Sequence, residues 1–399
     1  MDSIKQTLFL EINRIEFIFF VMESDEHNHF KVIYEFTVPL EGIDENRVVD
    51  SNRAYKFIKE NVYLIEQKLN ITLKEVIIIL DNFNPTFINL SGFKKLNGSQ
   101  ILRENITYIL NSLKSYVDKI EIKKTILHIF NSNFFLDNKK IENLPIGLFG
   151  DFYSHELSFN LIGINDYKNL ENIFSNCNLK MKKILLKNFI KGVKISKDNK
   201  NLDTFFFIRI EENNSKIFFF ENGTLKNEQI FKFGSDIVIS DISKVTSLNK
   251  TTIKKILNNM KFDQCTNKDE LIDKSFFENG EVYKKIKKGL IYEISYARLK
   301  ELGDLILFKN INFEHYNKSI RNIFIEINND LQIKSLKNTY SDIFSMNSNR
   351  DLKFAENLTS ESLAHIANEL VHFGWKKEAI PVANTRKSFI SRVFDQIFK

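Results

Sequence analysis

Apolar and polar positions fall into blocks along this chain, and the period of the blocks changes from one stretch to the next. Residues 204–241 read TFFFIRIEENNSKIFFFENGTLKNEQIFKFGSDIVISD. Two aromatic runs, 205–210 and 217–220, flank a polar Glu-Glu-Asn-Asn-Ser turn, and Asn222–Gly223 turns the chain into a third run around 229–233. Apolar runs bounded by turn residues, rich in Phe and Ile and lacking helical spacing, predict a buried β-meander. A helix is expected to start near Asp236.

The rest of the chain divides into similar blocks. Residues 7–21 are apolar but interrupted by Glu11, Arg14 and Glu16, which predicts strands rather than a membrane span, and residues 29–39 complete an opening hairpin. Ala54, Phe57, Ile58, Val62, Ile65 and Leu69 recur at helical spacing ahead of the apolar strand 75–80. Next come a strand at 86–90, an Asn97–Gly98 turn, a helix at 99–117 opened by Ser99, a strand at 124–130 and a strand at 156–164. Helices are expected at 168–174 and 183–192, with the polar stretch 198–201 as a domain boundary. The second half predicts a helical lobe within 249–300, a strand and turn within 320–336, a strand at 351–358 and a helix at 360–374 closed by Gly374. Residues 375–385 read as a linker.

The chain ends on an amphipathic segment, 386–399. Phe389, Ile390, Val393, Phe394, Ile397 and Phe398 form one helical stripe, with Ser391, Arg392, Asp395 and Gln396 opposite and Arg386, Lys387 and Lys399 at the ends. An aromatic apolar face with cationic flanks predicts a helix lying in a membrane interface, the alternative being a helix docked on its own domain.

Composition narrows the classes. A chain of 399 residues with 43% hydrophobic and 13% aromatic content is folded and long enough for two or three domains. The net charge of +6 suits an anionic membrane or an acidic peptide and does not mark a nucleic-acid binder. Cys177 and Cys265 have no CxxC or Cys/His spacing, and His27 and His29 belong to a polar loop, so no metal site and a reduced cytoplasmic chain without a signal peptide are expected. No Gly-x-Ser-x-Gly, no P-loop Gly-Lys-Ser/Thr and no histidine–carboxylate metal spacing occurs. His155, beside Glu156, and Asp81 read as surface or core-edge residues. No catalytic residue is expected.

Residues 209–225, RIEENNSKIFFFENGTL, resemble the second phosphate loop of the bacterial cell division protein FtsA family, written roughly Asp-Ile-Gly-Gly-Gly-Thr-x-Asp-Ile, three residues, Gly-x-Leu. Arg209 stands at the acidic metal partner, Glu211, Glu212 and Asn213 at the three glycines, Asn214 at the threonine and Lys216 at the later aspartate. The first phosphate loop falls on Glu11, Ile12, Asn13, Arg14 and Ile15. The adenosine loop falls on Glu326, Ile327, Asn328 and Asn329, again without glycine. The stretches Leu144-Pro-Ile-Gly-Leu-Phe-Gly150, Cys177-Asn-Leu-Lys180 and 240–256 resemble further family segments.

The resemblance implies an α/β, actin-like (ribonuclease H-like) two-domain fold with an inserted small α+β subdomain of SHS2 type and a C-terminal amphipathic helix. Its segments would be 1–82 and 165–200 for the first domain, 83–164 for the insert, 201–374 for the second domain with a basic lobe at about 241–305, 375–385 for a linker and 386–399 for the membrane helix. It implies an adaptor of the division ring at the septum, on the cytoplasmic side of the inner membrane. That adaptor would self-associate into filaments, recruit later division proteins through the insert and bind the C-terminal peptide of FtsZ. Lys284, Lys285, Lys288, Arg298 and Lys300 are the candidate contacts for that acidic peptide. Loops without glycine cannot curl N–H groups around phosphate, so the implied protein is a pseudo-ATPase and not an enzyme. Asparagines at 13, 213, 214, 328 and 329 keep hydrogen-bond donors, which leaves ATP with magnesium open. An active ATPase or sugar kinase of the same fold, and an assembly adaptor of a pilus or secretion system, are the alternatives.

Overall fold

A computed structural model describes residues 5–24, 30–44, 47–81, 83–200, 202–259, 268–313, 320–327, 338–344, 351–356 and 358–379. His27, His29, Cys265, Asn328, Asn329 and the whole of 386–399 therefore lie outside the described residues. The chain forms two compact units, one built from 1–190 together with the segment from Glu361 onward, the other from 191–360.

The first unit opens with a meander of β1 (Lys5–Ile12), β2 (Glu16–Ser24) and β3 (Phe30–Pro39). A small ribbon follows, β4 (Ile43–Asp44) with β5 (Arg47–Val48), and then α1 (Ser51–Leu69) and β6 (Glu75–Leu80). The Asp50 side chain accepts from the Arg53 amide and caps α1, and Asn70 ends it in the left-handed region. β6 lies parallel to β1, and β11 (Lys180–Leu186) lies parallel to β6, so the sheet order is β11-β6-β1-β2-β3. Residues 183–186, expected in a helix, complete β11 instead. Ile184, Leu185 and Leu186 find register partners in Ile78, Ile79 and Leu80, and these three buried residues form a continuous apolar run with no alternation to distinguish it from a helix.

The insert is a second sheet in this unit, ordered β7-β10-β8-β9, from β7 (Thr86–Lys95), β8 (Lys124–Leu136), β9 (Lys139–Ile141) and β10 (Phe152–Gly163). Helix α2 (Arg103–Ile120) packs on it through Leu110, Val117, Leu157, Phe159 and Leu161. α2 starts four residues later than expected. The Ser99 hydroxyl is spent on the Leu96 carbonyl (2.5 Å), and the Asn105 side chain takes the Leu102 amide (2.8 Å). His155, expected at the surface or the core edge, is fully buried on β10 at 4.8 Å from the Phe134 ring. Helix α3 (Ile164–Asn176) and β11 return the chain to the first sheet.

The second unit repeats the plan. β12 (Phe205–Ile210), β13 (Ser215–Glu221) and β14 (Thr224–Phe231) form an antiparallel meander. β15 (Asn322–Ile327) and β16 (Asp351–Phe354) add in parallel, giving the order β14-β13-β12-β15-β16. Asn222 and Gly223 both take positive φ, as a tight hairpin turn requires. The predicted aromatic runs pair in register, Phe205 with Phe220, Phe206 with Phe219 and Phe207 with Phe218, and their rings lie 4.8–5.5 Å apart. Such cross-strand aromatic pairs stabilise a sheet beyond their area burial. Helices α5 (Asp236–Thr246), α6 (Lys250–Asn259) and α7 (Lys288–Gly303) cover one face, with Phe206, Ile208, Ile239, Ile253 and Leu299 in the core.

Three segment assignments differ from those expected of the sequence. Helix α4 (Lys187–Asp198) runs through the junction, and the compact units divide inside it at 190/191 rather than at 198–201. Helix α8 (Ser360–His372), grouped by sequence with the second domain, belongs from Glu361 with the first unit, where His372 stacks on Phe30 at 5.5 Å. Residues 377–379, expected in a linker, add to the β8 edge through Asn131 N–H to the Lys377 carbonyl and Ala379 N–H to the Ile129 carbonyl, each 2.7 Å. Backbone groups on an open strand edge take any partner within reach, which periodicity alone does not reveal.

Candidate functional site

In open α/β sheets ligands approach the carboxyl ends of the parallel strands. Each unit has such an end, and the residues singled out by sequence stand there. In the first unit Glu11 is 2% exposed near the end of β1 and accepts a hydrogen bond from Lys187 Nζ, the first residue of α4. The same ammonium lies 3.6 Å from Asp81, which is buried and whose amide donates to the Ile12 carbonyl. Asn13 closes the β1–β2 turn. Its Oδ1 accepts from the amides of Ile15 and Glu16, both at 2.9 Å, and its Nδ2 donates to Glu16 Oε1 at 3.1 Å. Arg14 is half-buried in this turn.

The second unit closes its end by a different route. Glu326, on β15, is 1% exposed and accepts from Lys191 Nζ through both oxygens, at 2.5 and 2.7 Å. Arg209 sits opposite Glu326 in the β12–β15 register and is also buried. Its guanidinium lies 3.4 Å from Glu326 and 3.0 Å from Glu211. Two cations and two carboxylates thus neutralise one another where the resembled family holds a metal-bound phosphate. In the turn the Glu211 amide donates to the Asn214 carbonyl. The carbonyls of Glu211 and Glu212 accept from the amides of Ser235 and Asp236 at the start of α5. Glu212 and Asn213 point to solvent. Gly234 is required because a Cβ there would stand 2.1 Å from the Glu211 carbonyl oxygen. Lys216 is buried on the neighbouring strand with Glu228 at 3.8 Å.

A phosphate chain needs unspent N–H donors and a positive potential. Here Asn13 takes the amides of one turn, and the carbonyls of the other turn take the first amides of α5. The cations that could meet phosphate are held by buried carboxylates. The described residues of these two ends therefore do not fit a magnesium nucleotide. No group of three or more His, Cys, Asp or Glu side chains among the described residues could hold a metal.

Lys187 and Lys191 escaped the sequence reading. The available signal was two lysines four apart, bracketing the apolar Phe189 and Ile190, so that a helix burying those residues buries the lysines too.

Three of the five lobe cations serve the lobe itself. Lys284 donates to the carbonyls of Thr246 and Ser247 at the end of α5, Lys288 pairs with Glu270 at 2.6 Å, and Arg298 pairs with Asp241 and Glu301. Lys285 and Lys300 are exposed.

A further cluster lies where residues 377–379 meet β8. Glu378 lies between His128 Nδ1 (3.3 Å) and Lys183 Nζ (3.0 Å). Burial holds the His128 imidazole below its ordinary pKa despite the pull of Glu378. The neutral ring then carries its proton on Nδ1, since a carboxylate only accepts. Burial likewise holds His155 at a pKa of about 4.

No protein-family profile matches the chain. It is 21% identical over 301 residues to the cell division protein FtsA of Buchnera aphidicola subsp. Schizaphis graminum (strain Sg), covering 74% of this chain and 71% of the relative. The FtsA of Buchnera aphidicola subsp. Acyrthosiphon pisum (strain APS) is also 21% identical, over 248 residues, 62% of this chain and 59% of that one. Among solved structures, a PilM-PilN type IV pilus biogenesis complex superposes with a TM-score of 0.52 at 11% identity, over 92% of this chain and 96% of the matched chain. The structural likeness is one of fold, and with the repeated sheet order it gives the actin-like plan. The sequence similarity is a distant relationship to FtsA.

Proposed function

We propose that this chain is a non-enzymatic adaptor of the bacterial division ring, which tethers FtsZ filaments to the cytoplasmic face of the inner membrane. The observation that carries the division role is the similarity to FtsA over 301 residues. The buried Lys191–Glu326–Arg209 and Lys187–Glu11 pairs support an adaptor over an ATPase, because the charges that would meet a nucleotide are already neutralised. The apolar stripe and cationic ends of residues 386–399 support membrane attachment. Lys285 and Lys300 are the lobe cations best placed for an acidic FtsZ peptide. Filament formation and recruitment of later division proteins through the inserted sheet rest on the resemblance to the family.

The test is recruitment of FtsZ to vesicles of phosphatidylglycerol and phosphatidylcholine by the full chain. FtsZ should sediment with the vesicles only when the chain is present. Lys285→Glu with Lys300→Glu should reduce that recruitment without lowering the melting temperature. A vesicle-bound chain that leaves FtsZ in the supernatant contradicts the proposal. A tagged chain found at the cell poles rather than mid-cell would favour the pilus or secretion adaptor instead.

A further inference from the structure

We propose that the turn joining α2 to β8 is a second lipid contact, which lays Ile120 and Ile122 on an anionic bilayer surface. The inference rests on the membrane attachment proposed above and adds to it a site in the folded body.

The turn reads Asp118-Lys-Ile-Glu-Ile-Lys-Lys124. Ile120 is 50% and Ile122 72% exposed. The two isoleucines are neighbouring apolar tips, and a cationic border surrounds them. Lys119 and Lys123 flank the pair and are exposed, and the acid between the isoleucines, Glu121, is tied to Lys124 at 2.9 Å. Tyr116, one helical turn before Ile120, is 53% exposed. Aliphatic tips with a tyrosine and lysines around them match the layering of a bilayer interface, where hydrocarbon, aromatic belt and anionic headgroups follow in order.

What selects lipid as the occupant is where the chain leads. The strap 377–379 is fixed on the β8 edge and runs antiparallel to it, from Asn131 towards Ile129, so it heads for the start of β8 at Lys124. Ala379 is 5% exposed and packs in the same core cluster as Val117, one turn from Ile120. Glu378 holds the strap through His128 and Lys183. Arg386 follows seven residues later, within about 25 Å even if the intervening chain is fully extended. A tail held in the headgroup layer therefore has the turn within its reach.

The experiment uses the full chain with Ile122→Trp in a Trp375→Phe background, which leaves one indole. It is mixed with vesicles of phosphatidylglycerol and phosphatidylcholine that carry bromine on their acyl chains. The expected result is a blue shift of the emission and quenching by bromine on vesicle binding. In the otherwise native chain, Ile120→Ser with Ile122→Ser should weaken vesicle binding about tenfold, with an unchanged melting temperature. A chain that sediments with vesicles while its indole stays unquenched overturns the inference and leaves the tail's attachment standing. Failure of the unsubstituted full chain to sediment overturns both. Loss of self-association in the double serine variant, with vesicle binding intact, would assign the turn to a second copy of the chain and refute the lipid contact.

Discussion

Replacing Glu326 by Gln keeps the size of a buried side chain and removes the one charge that answers two cations. Lys191 loses the ionised partner whose oxygens it meets at 2.5 and 2.7 Å, with one neutral amide oxygen left to accept, and Arg209 loses the carboxylate at 3.4 Å while still facing Glu211 at 3.0 Å. Glu326 is 1% and Arg209 2% exposed, so water cannot take over the lost interaction. Breaking a buried pair by removing one partner costs about 3–5 kcal/mol, because the remaining charge stays desolvated. In a unit spanning residues 191–360 that corresponds to a melting midpoint lower by roughly 10 °C. Circular dichroism and calorimetry on the full chain read the shift. Adding Lys191→Met to Glu326→Gln removes the buried ammonium that the carboxylate had neutralised while Arg209 still faces Glu211, so at least half of the lost stability should return. A Glu326→Gln variant melting within about 1 °C of the native chain would refute the view that this strand end is sealed by a buried charge cluster.

Other perturbations follow from the same geometry. Gly234→Ala should destabilise by about 1–3 kcal/mol in denaturant titration, because its Cβ would meet the Glu211 carbonyl backbone at 2.1 Å. His155, held at a pKa of about 4 by burial, binds a proton later than it does in the unfolded chain. Its contribution is intact above about pH 6.5 and is lost as the pH falls towards 4, by roughly 3 kcal/mol in all. A melting temperature measured against pH in His155→Phe should show a shallower decline across that window. Glu378→Ala should release the strap from β8, read as faster hydrogen exchange at the Asn131 amide, which donates to the Lys377 carbonyl.

Much of the architecture could be read from the residues, because each unit opens with apolar runs separated by strong turn signals. The Asn222–Gly223 turn and the paired phenylalanine runs fixed the second meander, and the helical spacing of Ala54, Ile58, Val62 and Ile65 fixed α1. Apolar stretches without alternation were harder. Residues 183–186 pair with a buried neighbouring strand that periodicity cannot identify. β7 and β8 extend beyond their predicted ends, to Lys95 and Leu136, because β10 supplies partners from a distant part of the chain. Of the strand-end residues, Glu11, Arg209, Glu211 and Glu326 were singled out by position. Lys187 and Lys191, which complete the two clusters, were not, since a lysine in a lysine-rich chain gives no local sign of being buried. The strap failed for another reason. Residues 377–379 carry no strand signature, and their conformation is dictated by the open edge of β8.

The central question is whether the strand ends accept a nucleotide. The direct measurement is isothermal titration of the full chain with ATP and magnesium, backed by the melting temperature at millimolar nucleotide. With Asn13 closing one turn and Glu326 held by Lys191 and Arg209 at the other, no heat of binding and no thermal shift are predicted up to millimolar ATP. Saturable binding in the micromolar range, with a matching rise in melting temperature, would contradict the account, because the buried pairs would then have to open to admit phosphate.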